Sequence, residues 1–159
     1  MSLLLVVENT CERWYNQIMA YNGYLIKALG VDGGSDYILP MHFIIEKTYK
    51  MTYSVIDFDS TRNGAGKLVR NALKHKVPHC TVNVKPLSNT NMASLWTNLQ
   101  SRYTINKEKK IRLSVYIPEI DGYVTENFYI PDMEITIRRI EEGTNTIVYE
   151  GFTLEFIGY

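Results

Sequence analysis

The segment at residues 57–77, DFDSTRNGAGKLVRNALKHKV, places the pair Gly66-Lys67 in a glycine-containing, basic stretch that could cradle a phosphate. A phosphate-binding P-loop needs a glycine five residues before that pair, and a serine or threonine directly after the lysine to reach Mg²⁺. Thr61 and Leu68 stand at those two positions, and no strand–helix–strand pattern of a parallel sheet comes after them. The sequence therefore argues against nucleotide binding here, and we predict no cofactor.

His75, His79 and Cys80 form an H-x3-H-C pattern that resembles a set of metal ligands. A tetrahedral zinc site needs four ligands, or three and a water molecule, in consistent geometry. Pro78 breaks any helix that would bring the two histidines onto one face, and no fourth ligand lies nearby in the sequence. We predict no metal site, and we expect Cys80 to face a core from a strand.

The carboxylates do not form one motif: they occur as pairs that are far apart along the chain, mostly where turns are predicted. The clustered acids are Asp57 and Asp59, Glu119 and Asp121, and Glu141 and Glu142. Paired catalytic carboxylates must converge in space, and solvated turn residues are the simpler interpretation of these positions. No G-x-S-x-G motif positions a serine nucleophile. The sequence therefore predicts a protein that is not an enzyme.

The chain has 159 residues, of which 45% are hydrophobic and 21% charged, as expected for one globular domain. Twelve tyrosines outnumber the five phenylalanines and two tryptophans, and this bias favours sheet over helix. Two cysteines, Cys11 and Cys80, exclude a disulfide framework and indicate a reducing cytoplasm. No apolar run is long enough for a transmembrane helix, and MSLLLVV is too short for a secretory signal.

The formal net charge is zero, but the charges are unevenly distributed along the chain. Residues 60–107 hold eight Lys and Arg and no Asp or Glu, whereas the remaining residues hold nine Lys and Arg and all seventeen acids, a net of −8. Such a division suits a polyanionic partner, or copies of one protein that meet positive to negative. Because nucleic-acid binders are usually basic overall, the self-complementary interpretation is favoured.

Extended segments alternate with turn signals over most of the chain. Period-two patterns and β-rich composition predict strands at residues 23–29, 42–59, 80–87, 112–117 and 123–130. Asp121-Gly122 predicts the tip of one hairpin, and Glu142-Gly143-Thr144 predicts the tip of another near the C-terminus. The chain is therefore predicted to be mainly β.

One helix is predicted at residues 88–103, SNTNMASLWTNLQSRY. Ser88 is a suitable N-cap. The apolar residues that form one stripe at helical spacing are Met92, Leu95, Trp96, Leu99 and Tyr103. We expect this helix to lie on a sheet.

The N-terminal 18 residues match poorly with the rest of the chain, and the protein can also be interpreted as starting at Met19. Residues 1–18 are then an untranslated leader, or else a genuine, loosely amphipathic arm. The remainder, residues 19–159, is predicted to form a single β domain.

The basic segment 60–77 is too long for an ordinary hairpin loop. It is partly apolar and contains flexible glycines, which is expected of an arm that a neighbouring subunit orders. The alternative is a local helix at 67–76 folded back on its own sheet. The residues predicted to form a subunit-interface arm are Arg62, Asn63, Gly64, Gly66, Lys67, Leu68, Val69, Arg70, Leu73 and Lys74.

Three stretches carry a resemblance to a known group of proteins: DSTRNGAGKLVRNALKHKVPHCTVNVKPLSNTNMASL, VYIPEIDGYVTENFYIPDM and the closing GFTLEFIGY. They resemble the pattern of small, largely uncharacterised tail-region structural proteins of long-tailed bacteriophages and prophages. The most specific positions are Arg62, Asn63, Gly66 and Arg70. The resemblance covers residues 19–159.

The resemblance implies a tail-tube type of fold, a β-sandwich or barrel with one flanking helix and a long loop that reaches a neighbouring subunit. It also implies a homo-oligomeric ring, expected to be hexameric, within the virion tail. The protein would be made in the host cytoplasm and would contact other tail proteins but no membrane. DNA would be met only as it passes through the lumen of the ring. In that ring, basic residues of the arm would pair with acids such as Asp132, Glu141 or Glu142.

Two alternatives stay open at this point. A head–tail connector or tail-completion protein would share this architecture and differ mainly in its partners. The basic arm could instead contact DNA, because Lys and Arg alone suffice for salt-sensitive, unspecific affinity. Residues 60–85 contain no aromatic side chain, so the stacking platform of a single-strand binder is missing there.

Overall fold

The computed structural model describes residues 20–159, without the side chains of residues 56–60 and 70–75. The leader or arm predicted at residues 1–18 lies outside the described residues, as does Cys11.

Eleven strands and one α-helix make up the described part of the chain. The strands are β1 (Ile26–Ala28), β2 (Tyr37–Ile38), β3 (Lys50–Arg62), β4 (Leu68–Val84), β5 (Leu87–Ser88), β6 (Tyr103–Ile105), β7 (Lys110–Ile117), β8 (Gly122–Tyr129), β9 (Ile137–Glu141), β10 (Thr146–Tyr149) and β11 (Phe152–Gly158). Helix α1 spans Asn89–Gln100, and 3₁₀ turns occupy Met41–Phe43 and Pro118–Ile120.

All strand pairs are antiparallel, and they form two sheets. The larger sheet has eight strands in the order β2-β1-β7-β8-β11-β4-β3, with β6 added beside β7. The smaller sheet has the order β5-β10-β9. The mainly β fold with one helix is therefore confirmed.

The larger sheet is curved, so that the start of β3 comes close to β7, four strands away in the sheet order. Tyr49 directly precedes β3, and its hydroxyl donates a hydrogen bond to the backbone oxygen of Tyr116 at 2.6 Å. At the far end of β4, Ile44 forms an isolated antiparallel bridge with Val84. This curvature encloses a core between the strands.

The core follows from the alternation of side chains along each strand, because every second residue points to the same face. On β4 the buried residues are Cys80, Val82 and Val84. They lie opposite Phe156, Leu154 and Phe152 of β11 in the strand register. Fully buried residues of β7 and β8 complete this core: Ile111, Leu113, Val115 and Phe128.

The helix begins where the sequence predicts, because the Ser88 hydroxyl oxygen accepts a hydrogen bond from the backbone N–H of Asn91. It buries Met92, Leu95 and Leu99 against the core. It ends at Gln100, three residues before the predicted end, because Tyr103 starts β6 and pairs with Ile111 of β7. Tyr103, the last residue of the predicted apolar stripe, therefore belongs to a strand and not to the helix.

The prediction of a loop at residues 60–77 is wrong in its secondary structure. Strands β3 and β4 continue through this segment and pair as far as Arg62 and Leu68, so only residues 63–67 form a turn. The alternative helix at 67–76 is also wrong, because those residues from Leu68 onward lie in β4. The register shifts between Val55 and Asp59 show why a period-two pattern is hard to see here: β-bulges interrupt the alternation.

Candidate functional site

The β3–β4 hairpin extends beyond the eight-stranded sheet. Strand β4 pairs with β11 from Val84 to His79, and the pairing stops there because β11 ends at Gly158. From Pro78 to Leu68, β4 pairs with β3 alone among the described residues. A proline cannot donate a backbone hydrogen bond, so Pro78 marks the position where a three-stranded arrangement becomes a two-stranded ribbon. We call the ribbon formed by residues 54–77 the arm.

The tip of the arm, residues 63–67, is held by its own hydrogen bonds. The Asn63 side-chain oxygen accepts from the backbone N–H groups of Ala65 at 3.1 Å and Lys67 at 2.9 Å. The Asn63 N–H donates to the Lys67 carbonyl, and the Arg62 guanidinium donates to the Gly66 carbonyl at 2.9 Å. Gly66 has a φ of 76°, a left-handed conformation that glycine adopts without strain. The tip is therefore a defined turn.

Two apolar side chains next to this turn are exposed. Leu68 and Val69 are 49% and 51% exposed. Successive residues of a strand point to opposite faces, so the arm presents an apolar side chain on each face. Two-stranded hairpins are marginally stable alone, so burial of these side chains against another surface would stabilise the arm. The arm therefore has the features of a docking element.

The predicted interface residues divide into three groups in the structure. Arg62, Asn63, Gly64, Gly66 and Lys67 form the turn or bond to it, and Leu68 and Val69 are exposed beside it. The remaining three lie on β4, and their side chains are outside the described part: Arg70, Leu73 and Lys74. The structure thus brings the first seven together at one end of the hairpin.

Of the acids predicted to pair with the arm, two already have cationic partners in the same chain. The Glu141 carboxylate lies 2.6 Å from the Arg139 guanidinium. The Asp132 carboxylate contacts the Lys109 ammonium, which holds the pKa of Asp132 below its usual value through a hydrogen bond and its charge. Such partners reduce the attraction of these acids for a second cation.

The H-x3-H-C residues do not converge as ligands where the structure describes them. His79 Nε2 lies 2.6 Å from Glu155 Oε1 on β11, and Cys80 is fully buried in the core, as predicted from its strand position. Burial raises the pKa of the Cys80 thiol well above its ordinary value. The His75 side chain is outside the described part. Within residues 20–159, apart from the undescribed side chains, no cluster of three or more His, Cys, Asp or Glu could hold a metal ion.

A groove with a volume of about 840 Å³ lies between α1, β6 and the segment after β8. Trp96, Tyr103 and Met133 contribute its apolar surface, and the Lys109–Asp132 pair lies at its lining. The Trp96 ring stacks on Phe152 at a centroid distance of 6.4 Å. The ionisable side chains among its lining residues are Tyr103, Lys109 and Asp132, and the last two are paired with each other.

A group of tyrosines that sequence analysis did not single out lies around β7 and β8. The ring centroids of Tyr21 and Tyr116 are 5.5 Å apart, and those of Tyr24 and Tyr123 are 4.5 Å apart. The Tyr123 hydroxyl donates to the Tyr24 carbonyl at 2.7 Å and accepts from the Asn22 N–H at 2.9 Å. The high tyrosine content of the chain was the available signal, but the grouping depends on strand register.

The turn between β7 and β8 continues this group of tyrosines. The Tyr116 hydroxyl donates to the Asp121 carboxylate at 2.7 Å, and this hydrogen bond raises the pKa of Tyr116. Asp121 has a φ of 44°, which Asp tolerates better than most residues, and Gly122 starts β8. The predicted hairpin tip at Asp121-Gly122 is therefore confirmed, and its carboxylate is held in place by a neighbouring tyrosine.

These features define a class of protein: a mainly antiparallel β domain with one packed helix and a protruding basic hairpin. The model of the family of unknown function DUF6711 matches residues 19–159, and the chain belongs to that family. No curated protein matches the chain. One solved chain that is similar comes from the tail of an empty GTA particle, computed with helical refinement in C6 symmetry. The two chains are 15% identical, and the match covers 88% of this chain and 95% of that chain at a TM-score of 0.38.

Proposed function

We propose that this chain is a non-enzymatic structural subunit of a bacteriophage tail, in the tube or at its distal end, that assembles as a homo-oligomeric ring. The single observation that carries the assembly is the arm: a basic two-stranded hairpin with apolar side chains exposed on both faces near its tip. The assignment to a tail rests on the sequence resemblance of residues 19–159 to tail-region proteins.

In this proposal the arm contacts a neighbouring subunit. Leu68 and Val69 become buried against that subunit, and Lys67 meets an acid there. Burial of each side chain is worth on the order of 1 kcal/mol, because only about half of its surface remains to be removed from water.

Residues 19–159 act as one domain, and the proposed location is the virion tail after synthesis in the host cytoplasm. None of the helices that the structure describes is long and apolar enough to cross a membrane.

The charge division supports self-assembly over a separate polyanionic partner. Identical subunits in a ring meet through two different surfaces, and surfaces of opposite charge favour that contact and its register. The segment 60–107 has only basic charges, whereas the rest of the chain has an excess of acids. Most of the arm lies in the basic segment, and it can meet the acidic part of a neighbouring subunit.

The test compares the full chain with a variant whose arm is shortened. Val55 and Lys76 are directly paired, so residues 56–75 can be replaced by Asn-Gly, a two-residue hairpin connection. Light scattering and negative-stain images from dilute to concentrated protein should show rings for the full chain and a folded monomer for the variant. Rings of the same size from the shortened variant would contradict the role of the arm.

A second variant keeps the arm and its charges and removes only its exposed apolar side chains. The variant Leu68→Ser with Val69→Ser retains every basic residue and the turn, and it should assemble far less than the full chain. Retention of the full chain on DNA at physiological salt, with a steep loss of binding as salt rises, would instead favour a DNA-contacting arm. A full chain that stays a folded monomer at every concentration would contradict the proposed ring.

A further inference from the structure

The arm needs a receiving surface that offers apolar area and carboxylates that other cations do not already neutralise. The β9–β10 hairpin offers Glu141 and Glu142, but Arg139 holds Glu141. Arg138, on β9, lies 3.9 Å from Glu150, which directly follows β10. The groove beside α1 offers Asp132, but Lys109 holds it. Both surfaces are therefore nearly balanced in charge.

A different surface has the required composition. The 3₁₀ turn between β7 and β8 carries Glu119 and Asp121, and neither forms an ion pair with another residue of the described part. Ile120 lies between them in the sequence and is 41% exposed. Tyr21 is 49% exposed and packs edge-on against Tyr116. We call the surface formed by Tyr21, Tyr116, Glu119, Ile120, Asp121 and Tyr123 the tyrosine-acid face.

The tyrosine-acid face is held in a fixed geometry. The Tyr116 hydroxyl fixes the Asp121 carboxylate, and Tyr123 bonds to the backbone at Tyr24 and Asn22. Lys27 lies 5.1 Å from the ring centroid of Tyr24, the tyrosine that packs on Tyr123, and it is already paired with Asp36 at 3.5 Å. A rigid aromatic surface loses little conformational entropy on binding, and tyrosine is enriched in the energetically dominant parts of interfaces.

We infer that the tyrosine-acid face receives the tip of the arm from a second copy of this chain. Lys67 of one copy pairs with Glu119 and Asp121 of the other, while Leu68, on one face of the arm, covers Ile120 and the Tyr21 ring. The inference rests on the proposed ring assembly and names the surface it uses. Because the arm and the tyrosine-acid face are different surfaces, a head-to-tail contact between them can repeat from copy to copy, and it forms a ring when the rotation between neighbours closes.

The first test changes the charge of the receiving surface and leaves its shape. Glu119→Gln with Asp121→Asn removes both charges, and asparagine tolerates the left-handed backbone at residue 121. The matched control, Glu141→Gln with Glu142→Gln, removes two charges from the other predicted acidic turn. We expect assembly of the first variant to need roughly ten-fold more protein than the control. Equal assembly of the two variants, or greater loss in the control, would overturn the inference.

A second test detects the contact directly by disulfide cross-linking and changes no charged residue. Two full-length variants, Leu68→Cys and Ile120→Cys, both with Cys11→Ser, are mixed and oxidised; Cys80 is buried and should not react. A disulfide needs Cα atoms within about 7 Å, so a covalent dimer of one variant with the other reports a direct contact. Ile140→Cys, an exposed isoleucine of β9, replaces Ile120→Cys as the control.

The outcomes separate the inference from the proposed function. Cross-linking of Leu68→Cys to Ile120→Cys and not to Ile140→Cys supports the tyrosine-acid face. Assembly of the full chain without that cross-link, or with the control cross-link instead, overturns this surface and leaves the ring proposal standing. A full chain that is monomeric at every concentration and yields no cross-link overturns both.

Discussion

Gly158 lies directly against Pro78, at the position where β11 ends and the arm leaves the sheet. A Cβ atom added to Gly158 would lie 2.6 Å from the Pro78 backbone oxygen and 2.7 Å from its Cδ atom. Real Cβ atoms do not approach other atoms so closely, so this contact between β11 and β4 requires glycine. The Pro78–Gly158 contact therefore couples the end of the chain to the base of the arm.

Gly158→Ala should lower the stability of the fold, because either β11 or β4 must shift to make room for the new methyl group. We expect a loss of about 1–3 kcal/mol in the free energy of unfolding, measured by urea denaturation. The control is Gly64→Ala at the tip of the arm, where an added Cβ meets nothing within 4 Å and the change should stay within about 0.5 kcal/mol. Equal effects at the two sites would contradict the close contact.

Asn63→Ala should loosen the tip of the arm without unfolding the domain. The substitution removes the acceptor for the Ala65 and Lys67 N–H groups, a loss of about 1 kcal/mol in local stability. Native-state hydrogen exchange at the Lys67 amide should therefore be roughly five-fold faster. Asn63→Asp keeps an acceptor oxygen and should exchange like the unchanged protein. Unaltered exchange in Asn63→Ala would show that the side chain does not hold the turn.

Cys80 should be inert to thiol reagents in the folded protein. Its side chain is fully buried, and burial raises the pKa of the thiol, so little thiolate forms at pH 8 and none of it is accessible. In a Cys11→Ser background, an aromatic disulfide reagent should modify Cys80 only as fast as the domain opens, and at once in denaturant. Rapid modification under native conditions would place Cys80 outside the core.

Leu95→Ala should be among the most damaging substitutions in the helix. Leu95 is fully buried in the core cluster, and truncation removes its contacts and leaves a cavity, at a cost of about 2–5 kcal/mol. Ser94→Ala changes an exposed neighbour on the same helix and should have an effect within about 0.5 kcal/mol. Similar losses of thermal stability in the two variants would contradict the packing of this face.

Elements that depend on neighbouring residues could be predicted well from the sequence. The helix start at Ser88, the turn at Asp121-Gly122 and the C-terminal hairpin turn at residues 142–145 all follow from local capping and turn chemistry. The helix end could not be predicted, because pairing of Tyr103 with Ile111 is a contact between distant parts of the chain.

The sequence singled out the segment that forms the arm, but it did not predict the secondary structure of that segment. The basic, glycine-containing segment indicated an arm, but a loop was predicted where a hairpin forms, because bulges between Val55 and Asp59 disturb the alternation that identifies strands. The sequence named Asp132, Glu141 and Glu142 as acids that could pair with the arm, and it did not name Glu119 or Asp121. Which of them face a cation of the same chain depends on side chains that only folding brings together, as for Glu141 with Arg139.

The sequence by itself determined the mainly β class, the helix capped by Ser88 and the division of charge along the chain, because composition, periodicity and turn chemistry act locally. The tertiary structure decided which strands pair, where the arm leaves the sheet at Pro78 and Gly158, and which acids stay free of an ion pair in the described part of the chain. Those features depend on register and on contacts between residues far apart in the sequence, which no local pattern specifies.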